Sequence, residues 1–359
     1  MRKLLGVLLV ALLAFGLPAC GDDTGSGDDG GSGLDGAGTD GGSGTDGGSG
    51  TDGASGTDRP ICDEINVDAT RVASNLLLVV DKSGSMADPT SSGSWRTKMQ
   101  DLQDAVEKLL TDGEGEINFG LIAFPDCDNC TQYSCPCACT PGRVEESVGS
   151  AVSSIRSTVN GLVSAGGTPT GTTLQVADSY FQGYAGEGRN FVLLITDGMP
   201  TCPNGEGYEV TQADINLSLN AVVGLKDHGT DTFVIGLGED LNSNDPDLLN
   251  DMAEAGGWPQ AGAVKYYQAN SVEGLQNVLS TIGGLVLSCD MALGIVPEFP
   301  AWLWVFFDDV EVPRDTNHAN GWDYDSTNNV IHFYGSYCDQ LRQGSVESVE
   351  IKAGCAPPD

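Results

Sequence analysis

Residues 75–86 read NLLLVVDKSGSM, and this segment indicates the fold class of the chain. Its first half, 75–80, is an apolar run typical of a strand that is buried on both faces of a parallel sheet. The hydrophobic pattern of the rest of the chain predicts further buried strands at 117–124, 190–196, 232–237 and 264–268, and helices at about 94–110, 171–181, 212–226 and 272–282. Strands that alternate with helices predict a doubly wound α/β fold, with a mostly parallel sheet and helices on both faces.

Hydroxyl and carboxylate side chains lie in three loops, two of which follow predicted strands and one of which precedes a predicted helix. They are Asp81, Ser83 and Ser85 after the first strand, Thr168 just before a helix, and Asp197 after strand 190–196. Right-handed crossovers place such loops on one edge of the sheet. Hard oxygen ligands suit a divalent cation, with Mg²⁺ as first choice and Mn²⁺ or Ca²⁺ as alternatives. A helix cap is the simpler interpretation of the first loop, but it does not account for Thr168 and Asp197.

The three motifs, DxSxS at 81–85, a loop threonine, and TDG at 196–198, resemble the metal-ion-dependent adhesion site of a von Willebrand factor type A domain. The resemblance extends over roughly residues 72–286, within a Rossmann-like domain that we place at 60–288. It implies that the five residues above hold the cation, and that an Asp or Glu carboxylate of a protein partner completes its coordination. The expected function is therefore adhesion, or another protein–protein interaction at the cell surface.

The overall charge narrows the possible partners. The chain has 359 residues, with 16 Lys and Arg against 51 Asp and Glu, and a formal net charge of −35. Nucleic acid is excluded as a partner, because binding a polyanion needs a basic surface. The sequence holds three His and contains no HExxH, GxSxG or GxxxxGK[ST] motif, so we predict a binding protein and not an enzyme.

Two other functions stay open at this stage. One is a hydrolase in the C-terminal part, using carboxylates such as Asp308, Asp309 and Asp323. The other is a structural protein of the cell envelope in which the metal only stabilises the fold.

The first residues predict export and a lipid anchor. Arg2 and Lys3 precede an apolar run at 4–17, which is too short for a membrane span, so residues 1–19 are interpreted as a signal peptide. The ending resembles a bacterial lipobox, which implies lipidation of Cys20; an ordinary cleaved signal is the alternative. We therefore expect a protein held to the bacterial cell envelope by its N-terminal lipid, with the outer membrane or cell surface favoured.

Residues 20–59 are predicted to be a disordered tether of Gly, Asp, Ser and Thr. Between residues 21 and 58 there are nine Asp and no Lys or Arg, and the only large apolar residue is Leu34. Such a segment cannot bury enough surface to offset the entropy of ordering. The repeated GGSGTD resembles part of a calcium-binding repeat, but its period is six and not nine, which favours the tether.

Eleven cysteines fit an oxidising compartment, because ten remain once Cys20 is set aside. Six of them are predicted to form three disulfides, with zinc as the alternative: Cys127, Cys130, Cys135, Cys137 and Cys139, in an insertion at 126–141, and Cys202. Since the termini of such domains often lie close together, Cys62 is predicted to pair with Cys289, which leaves Cys338 for Cys355.

The last segment, 289–359, differs from the rest of the chain in composition. Ten of the 24 aromatic residues fall between 299 and 337. Short strands are predicted at 301–307, 311–313, 322–324, 329–334 and 345–351, which together indicate a small disulfide-linked antiparallel β module. Trp302, Trp304 or Trp322 could stack on a sugar, but aromatic residues in such a module are expected to form its core.

Overall fold

The structure is a computed structural model that describes residues 65–126, 139–204, 206–207, 209–238, 241 and 247–354. Several predicted features lie outside these residues: the signal peptide 1–19, Cys20, the tether 20–59, Cys62, Cys127, Cys130, Cys135, Cys137 and Cys355. Within the described ranges, no helix combines the length and the apolar character needed to cross a bilayer.

The strands, in chain order, are β1 (Ile65–Asn66), β2 (Ala69–Arg71), β3 (Ser74–Asp81), β4 (Ile117–Phe124), β5 (Arg143–Glu146), β6 (Asn190–Thr196), β7 (Thr230–Leu237), β8 (Tyr267–Ala269), β9 (Asp290–Leu293), β10 (Leu303–Phe307), β11 (Val310–Val312), β12 (Gly321–Asp325), β13 (Val330–Tyr334) and β14 (Val349–Ala353). The helices are α1 (Lys98–Asp112), α2 (Val152–Asn160), α3 (Thr170–Gln182), α4 (Gln212–Asp227), α5 (Leu248–Gly256), α6 (Val272–Val286) and α7 (Ser336–Arg342).

The central sheet has the order β5-β4-β3-β6-β7-β8. Every neighbouring pair is parallel except β5 against β4. All eight residues of β3 are buried, because this strand lies in the middle of the sheet and is covered on both faces. The predicted fold class, a mostly parallel doubly wound α/β sheet, is confirmed.

Helices cover both faces of this sheet because successive side chains of a strand point to opposite sides. Leu78 packs in one layer with Leu109 of α1 and Leu279 of α6. Its neighbour Leu77 packs in the other layer with Leu174 of α3. A fully buried leucine contributes about 1.5–3 kcal/mol relative to an exposed one, so these two layers account for much of the stability of the domain.

Four elements of the domain differ from the sequence prediction. The edge strand β5 and the helices α2 and α5 were not predicted; β5 reads RVEE and lacks an apolar run. The last strand lies at Tyr267–Ala269 and not at 264–268, because Val264 is 38% exposed and precedes the buried part.

Strand order also explains where a site can form. Within the sheet, β4 lies on one side of β3, and β6 and β7 lie on the other side of β3. In a doubly wound sheet the crevice forms at the carboxyl ends of the strands where this order reverses. The loops after β3 and β6 are therefore neighbours.

The predicted antiparallel β module is present and consists of two sheets. Their strand orders are β1-β14-β10-β11 and β12-β13-β9-β2. Both sheets contribute to one core, in which Val305 and Ile351 of the first sheet pack with Trp322 and Phe333 of the second. All five predicted strands correspond to observed ones, and helix α7 is an addition that the sequence did not indicate.

The boundary of this module needs a correction. Residues 65–71, which the sequence placed in the domain 60–288, belong to the two sheets of the module: Ile65 pairs with Ala353, and Thr70 pairs with Ala292. Antiparallel pairing with β14 and β9 satisfies the backbone hydrogen bonds of these short segments. The module is therefore built from both ends of the described chain.

The predicted pairing of Cys62 with Cys289, and of Cys338 with Cys355, is wrong. Cys289 is bonded to Cys338, with their Cα atoms 5.2 Å apart. Cys289 directly precedes β9, which pairs with β13, and Cys338 lies on α7, which follows β13 in the chain and contacts it. The disulfide is therefore internal to the module and does not join the two ends of the α/β domain.

A histidine–carboxylate pair in the module predicts a pH effect on stability. His332 Nδ1 lies 2.8 Å from Asp290 Oδ1, and this hydrogen bond raises the pKa of His332. Its stabilising contribution is fully present below the unfolded pKa of about 6.5 and is lost as the pH rises through the folded pKa. We expect His332→Gln to cost roughly 0.5–1 kcal/mol more at pH 5.5 than at pH 9, measured by urea unfolding. An equal cost of His332→Gln at both pH values would contradict the prediction.

Candidate metal centre

The two carboxylates of the candidate site are brought together by adjacent strands. Asp81 is the last residue of β3, and Asp197 directly follows β6. These strands are parallel neighbours, with Val80 opposite Ile195. The fold therefore places both carboxylates side by side at the carboxyl edge of the sheet.

Hydrogen bonds join the first loop to both carboxylates. The backbone N–H of Ser83 donates to Asp81 Oδ1 at 2.8 Å. The hydroxyl of Ser85 donates to Asp197 Oδ1 at 2.8 Å, and the Ser83 and Ser85 hydroxyl oxygens are 3.1 Å apart. Four of the five predicted metal ligands thus form one connected cluster.

Thr168, the fifth predicted ligand, lies at the same edge without joining that cluster. Its loop is held against the first one by a hydrogen bond from Gly84 N–H to Gly166 C=O, at 3.0 Å. Its backbone N–H donates to the Thr201 hydroxyl at 3.0 Å, and the Thr201 N–H donates back to the Thr168 carbonyl at 3.2 Å. Among the described residues, the Thr168 hydroxyl forms no hydrogen bond with the other four.

The two carboxylates are in an unfavourable electrostatic position. Asp81 is completely buried, and the side chain of Asp197 has no exposed surface. Burial, reinforced by the charge of Asp197, raises the pKa of Asp81 to about 7, although hydrogen bonds from Thr196 and Ser83 oppose this shift. A pair of buried anions is stabilised by a cation between them.

Lys98 is a residue of the candidate site that the sequence analysis did not identify. It is the first residue of α1, and its ammonium donates to Asp197 Oδ2 at 2.8 Å. The Lys98 side chain is only 14% exposed, so this is a nearly buried ion pair. The only hint of this role in the sequence is that a lysine follows the DxSxS motif, at the start of the next predicted helix. Thr196 stands in the TDG motif but was not predicted as a site residue; its hydroxyl donates to Asp81 Oδ2 at 2.7 Å.

The donor set fits a hard divalent cation. It combines two buried carboxylates with serine and threonine hydroxyls, and hard cations such as Mg²⁺ prefer oxygen ligands of this kind. Across the described part of the chain, no cluster of three or more His, Cys, Asp or Glu side chains offers another metal site. Asp81 Oδ1 and Asp197 Oδ1 are the carboxylate oxygens turned toward the serines, and with Ser83, Ser85 and Thr168 they would hold the ion.

A disulfide supports the Thr168 loop. Cys139, after β4, is bonded to Cys202, after β6, with their Cα atoms 5.3 Å apart. A Cβ atom at Gly167 would lie only 2.9 Å from the Cys202 sulfur and 2.6 Å from Gly207 Cα, so the loop fits closely against this bridge. One pair within the predicted six-cysteine group is thus present beside the candidate metal centre.

Removing this bridge should weaken both the fold and the site. The cysteines are 63 residues apart, and cross-links of that length typically contribute about 2–4 kcal/mol. We expect the double variant Cys139→Ser/Cys202→Ser to lose that much stability in urea unfolding, and to bind Mg²⁺ several-fold more weakly by calorimetry. The matched control Cys289→Ser/Cys338→Ser should lose stability with unchanged Mg²⁺ affinity; an equal loss of affinity in both would contradict the local role.

The candidate residues of the β module have partners of their own. The Trp322 ring is buried in the module core and its Nε1–H donates to the Val312 carbonyl at 2.9 Å, whereas Trp302 and Trp304 are partly buried. Asp308 accepts backbone N–H groups of Glu347 and Ser348. Asp323 accepts from Arg314 and lies 3.1 Å from His318 Nε2, while Asp309 lies with Asp308 in the β10–β11 turn. These contacts give the side chains of Asp308, Asp323 and Trp322 a structural role within the β module.

Comparisons with known proteins agree with this architecture. A family model described as von Willebrand factor type A domain matches residues 75–281, more than half of the chain. No curated protein matches.

Solved structures with a similar fold come from several organisms. The PilB minor pilin from Streptococcus sanguinis is 17% identical over 61% of this chain and 62% of that one, with a TM-score of 0.45. A von Willebrand factor type A protein from Catenulispora acidiphila is 17% identical over 84% and 63%, with a TM-score of 0.43. Manganese-loaded TRAP protein from Plasmodium vivax is 16% identical over 63% and 78%, with a TM-score of 0.42. The chain thus spans under two thirds of the length of the first two.

Proposed function

The chain belongs to the von Willebrand factor type A domain family, and we propose that its domain binds a divalent cation, Mg²⁺ first, and through it an acidic group of a protein partner. The role is binding and not catalysis. One observation carries the proposal: Asp81, Ser83, Ser85 and Asp197 converge at the carboxyl edge of the sheet and are joined by hydrogen bonds of 2.8–3.1 Å.

The residues of the site would supply two kinds of oxygen ligand. Asp81 and Asp197 supply the negative charge, and the hydroxyls of Ser83, Ser85 and Thr168 supply neutral oxygens. A bound cation would offer an open coordination position to a carboxylate oxygen of the partner. Because the two acids are buried and Lys98 offsets one negative charge, the site attracts a cation, and the net charge of the protein is itself −35.

The test uses acetate as a stand-in for the partner's carboxylate. Amide chemical shifts of the full chain are recorded while acetate is added, with and without Mg²⁺. We expect the Ser83, Ser85 and Asp197 amides to shift with acetate only when Mg²⁺ is present, and not to shift in Asp197→Ala. Shifts of equal size without Mg²⁺, or an unchanged response in Asp197→Ala, would overturn the proposal.

We also propose that the protein is anchored at the bacterial cell envelope by a lipid on Cys20. The proposal rests on the residue pattern alone: Arg2 and Lys3, the apolar run 4–17, and the cysteine that follows. Mass spectrometry of the mature protein from membranes should show an acylated N-terminal Cys20. An unmodified N-terminus at another residue would overturn it.

A further inference from the structure

A cleft separates the α/β domain from the β module at the edge opposite the candidate metal centre. Its volume is about 420 Å³, within the usual range for small-molecule sites. Ser74 and Arg189, at the amino ends of β3 and β6, form one wall, and His332 and Arg342 of the module form the other. We call this the interface cleft.

Arg189, on one wall of the interface cleft, belongs to a cluster of charged side chains with more positive than negative charge. Asp231 Oδ2 accepts from Arg189 Nη2 at 2.8 Å and from Trp258 Nε1 at 3.1 Å, while Asp231 Oδ1 accepts from Lys226 Nζ. One carboxylate therefore serves two cations. Lys226 and Asp231 are not part of the cleft lining, but because Lys226 and Arg189 share Asp231, this cluster beside the wall carries one positive charge in excess.

Arg342, on the facing wall, has no carboxylate partner among the described residues. Its one hydrogen bond there runs from Nε to the Leu287 carbonyl, at 3.0 Å, which leaves its two terminal nitrogens free to donate. Arg342 is partly buried, and this burial together with the charge of Arg189 lowers the pKa of Arg342, although the charges of Asp339 and Asp290 oppose the shift. Two like charges on opposite walls of one cleft are unfavourable unless an anion lies between them.

Acidic side chains that line the cleft do not cancel this charge. Asp290 is paired with His332 at 2.8 Å. Asp339 is the other acid on the lining. On the lining itself, Arg189, Arg342 and protonated His332 stand against Asp290 and Asp339, which leaves one positive charge in a protein whose net charge is −35.

We propose that the interface cleft binds a small oxyanion, a carboxylate or phosphate group, between Arg189 of the α/β domain and Arg342 of the β module. Guanidinium groups suit this chemistry because their planar N–H donors match two oxygens of one anion. Phe191, Trp258 and Leu287 give the cleft an apolar side, which fits an organic anion with a short apolar part. A ligand held by both arginines would stabilise the contact between domain and module.

The proposal is tested by adding inorganic phosphate or succinate to the full chain at constant ionic strength set with NaCl. Binding is read from melting temperature and from calorimetry, for the unmodified protein and for Arg342→Gln and Arg189→Gln. The matched control is Arg156→Gln, which removes an arginine paired with Glu107 on the surface of the α/β domain.

We expect at least one of the two anions to raise the melting temperature, and each cleft variant to weaken its binding about ten-fold or more, while Arg156→Gln binds normally. Stabilisation by phosphate alone identifies phosphate chemistry, and stabilisation by succinate alone identifies carboxylate chemistry. If neither anion binds, or if both cleft variants bind as tightly as Arg156→Gln, the proposal is overturned. Arg342→Lys keeps the positive charge but loses the planar pair of guanidinium N–H donors. If this variant melts without ligand at the same temperature as the unmodified protein, its loss of anion binding is not caused by misfolding.

Discussion

Replacing Asp81 by Asn is expected to remove Mg²⁺ binding and to leave the metal-free fold intact. The change deletes a buried negative charge and keeps the shape of the side chain. Because an Mg²⁺ site with a single remaining carboxylate loses a large share of its electrostatic attraction, we expect affinity to fall at least about 100-fold, or roughly 2.7 kcal/mol.

The hydrogen bonds around Asp81 explain why the fold should survive. The amide oxygen of Asn can still accept the Ser83 N–H that now donates to Asp81 Oδ1. The amide nitrogen would face the Thr196 hydroxyl, which can accept this donor and turn its own proton to the Gly198 carbonyl, 3.2 Å away. Since burial and Asp197 make the charged form of Asp81 costly, the variant should melt in EDTA no lower than the unmodified protein.

Calorimetry and melting curves in EDTA and in Mg²⁺ measure both effects. Asp309→Asn, in the β10–β11 turn, makes the same chemical change in the β module and should retain full Mg²⁺ affinity. Tight Mg²⁺ binding by Asp81→Asn would mean that Asp81 is not a ligand of the ion, and no Mg²⁺ binding by the unmodified protein would mean that this loop holds no metal. If instead Mg²⁺ strongly raises the melting temperature but acetate binding never depends on it, the metal has a structural role alone.

Local patterns were enough to predict the fold and the position of the candidate site. The apolar run 75–80 lies inside β3, whose burial on both faces is what produces a run without alternation. Asp81 and Asp197 could be placed at one edge because parallel strands end at the same edge of a sheet. The short predicted strand at 322–324 was found because Trp322 and Tyr324 alternate with polar residues in a two-layered core.

Features that depend on long-range packing could not be predicted in this way. Cys289 pairs with Cys338 because β9 lies next to β13, and strand order within a module is not encoded in cysteine spacing. Residues 65–71 looked like the start of the α/β domain, since two- and three-residue edge strands carry no periodic signal. In the candidate site, the sequence identified side chains that follow strands, but not Lys98, which reaches Asp197 from the start of a helix.

We expect Lys98→Met to bind Mg²⁺ at least about ten-fold more tightly than the unmodified protein. The ammonium lies 2.8 Å from Asp197 Oδ2 and already offsets one of the two buried negative charges. It also repels any divalent cation held by Asp197. Two unit charges about 4 Å apart interact by about 4 kcal/mol at an effective dielectric constant of 20, and ten-fold in affinity needs only about 1.4 kcal/mol of that repulsion.

The same substitution should have the opposite effect on the metal-free protein. Removing one partner of a nearly buried ion pair leaves Asp197 uncompensated beside Asp81, which costs about 3 kcal/mol. We therefore expect Lys98→Met to melt lower than the unmodified protein in EDTA, and to regain most of the difference in saturating Mg²⁺. Methionine keeps the length and the helix propensity of lysine, so the start of α1 is preserved.

Lys108→Met on the same helix is the matched control. Lys108 is about half exposed and pairs with Asp112 one turn further on, so its loss should change neither Mg²⁺ affinity nor the EDTA melting temperature by much. Weaker Mg²⁺ binding by Lys98→Met would show that the ammonium mainly orients Asp197 for the ion. Tighter binding would show that this domain holds its cation less strongly than its two carboxylates permit, so that an acidic partner adds more to the stability of the assembled site.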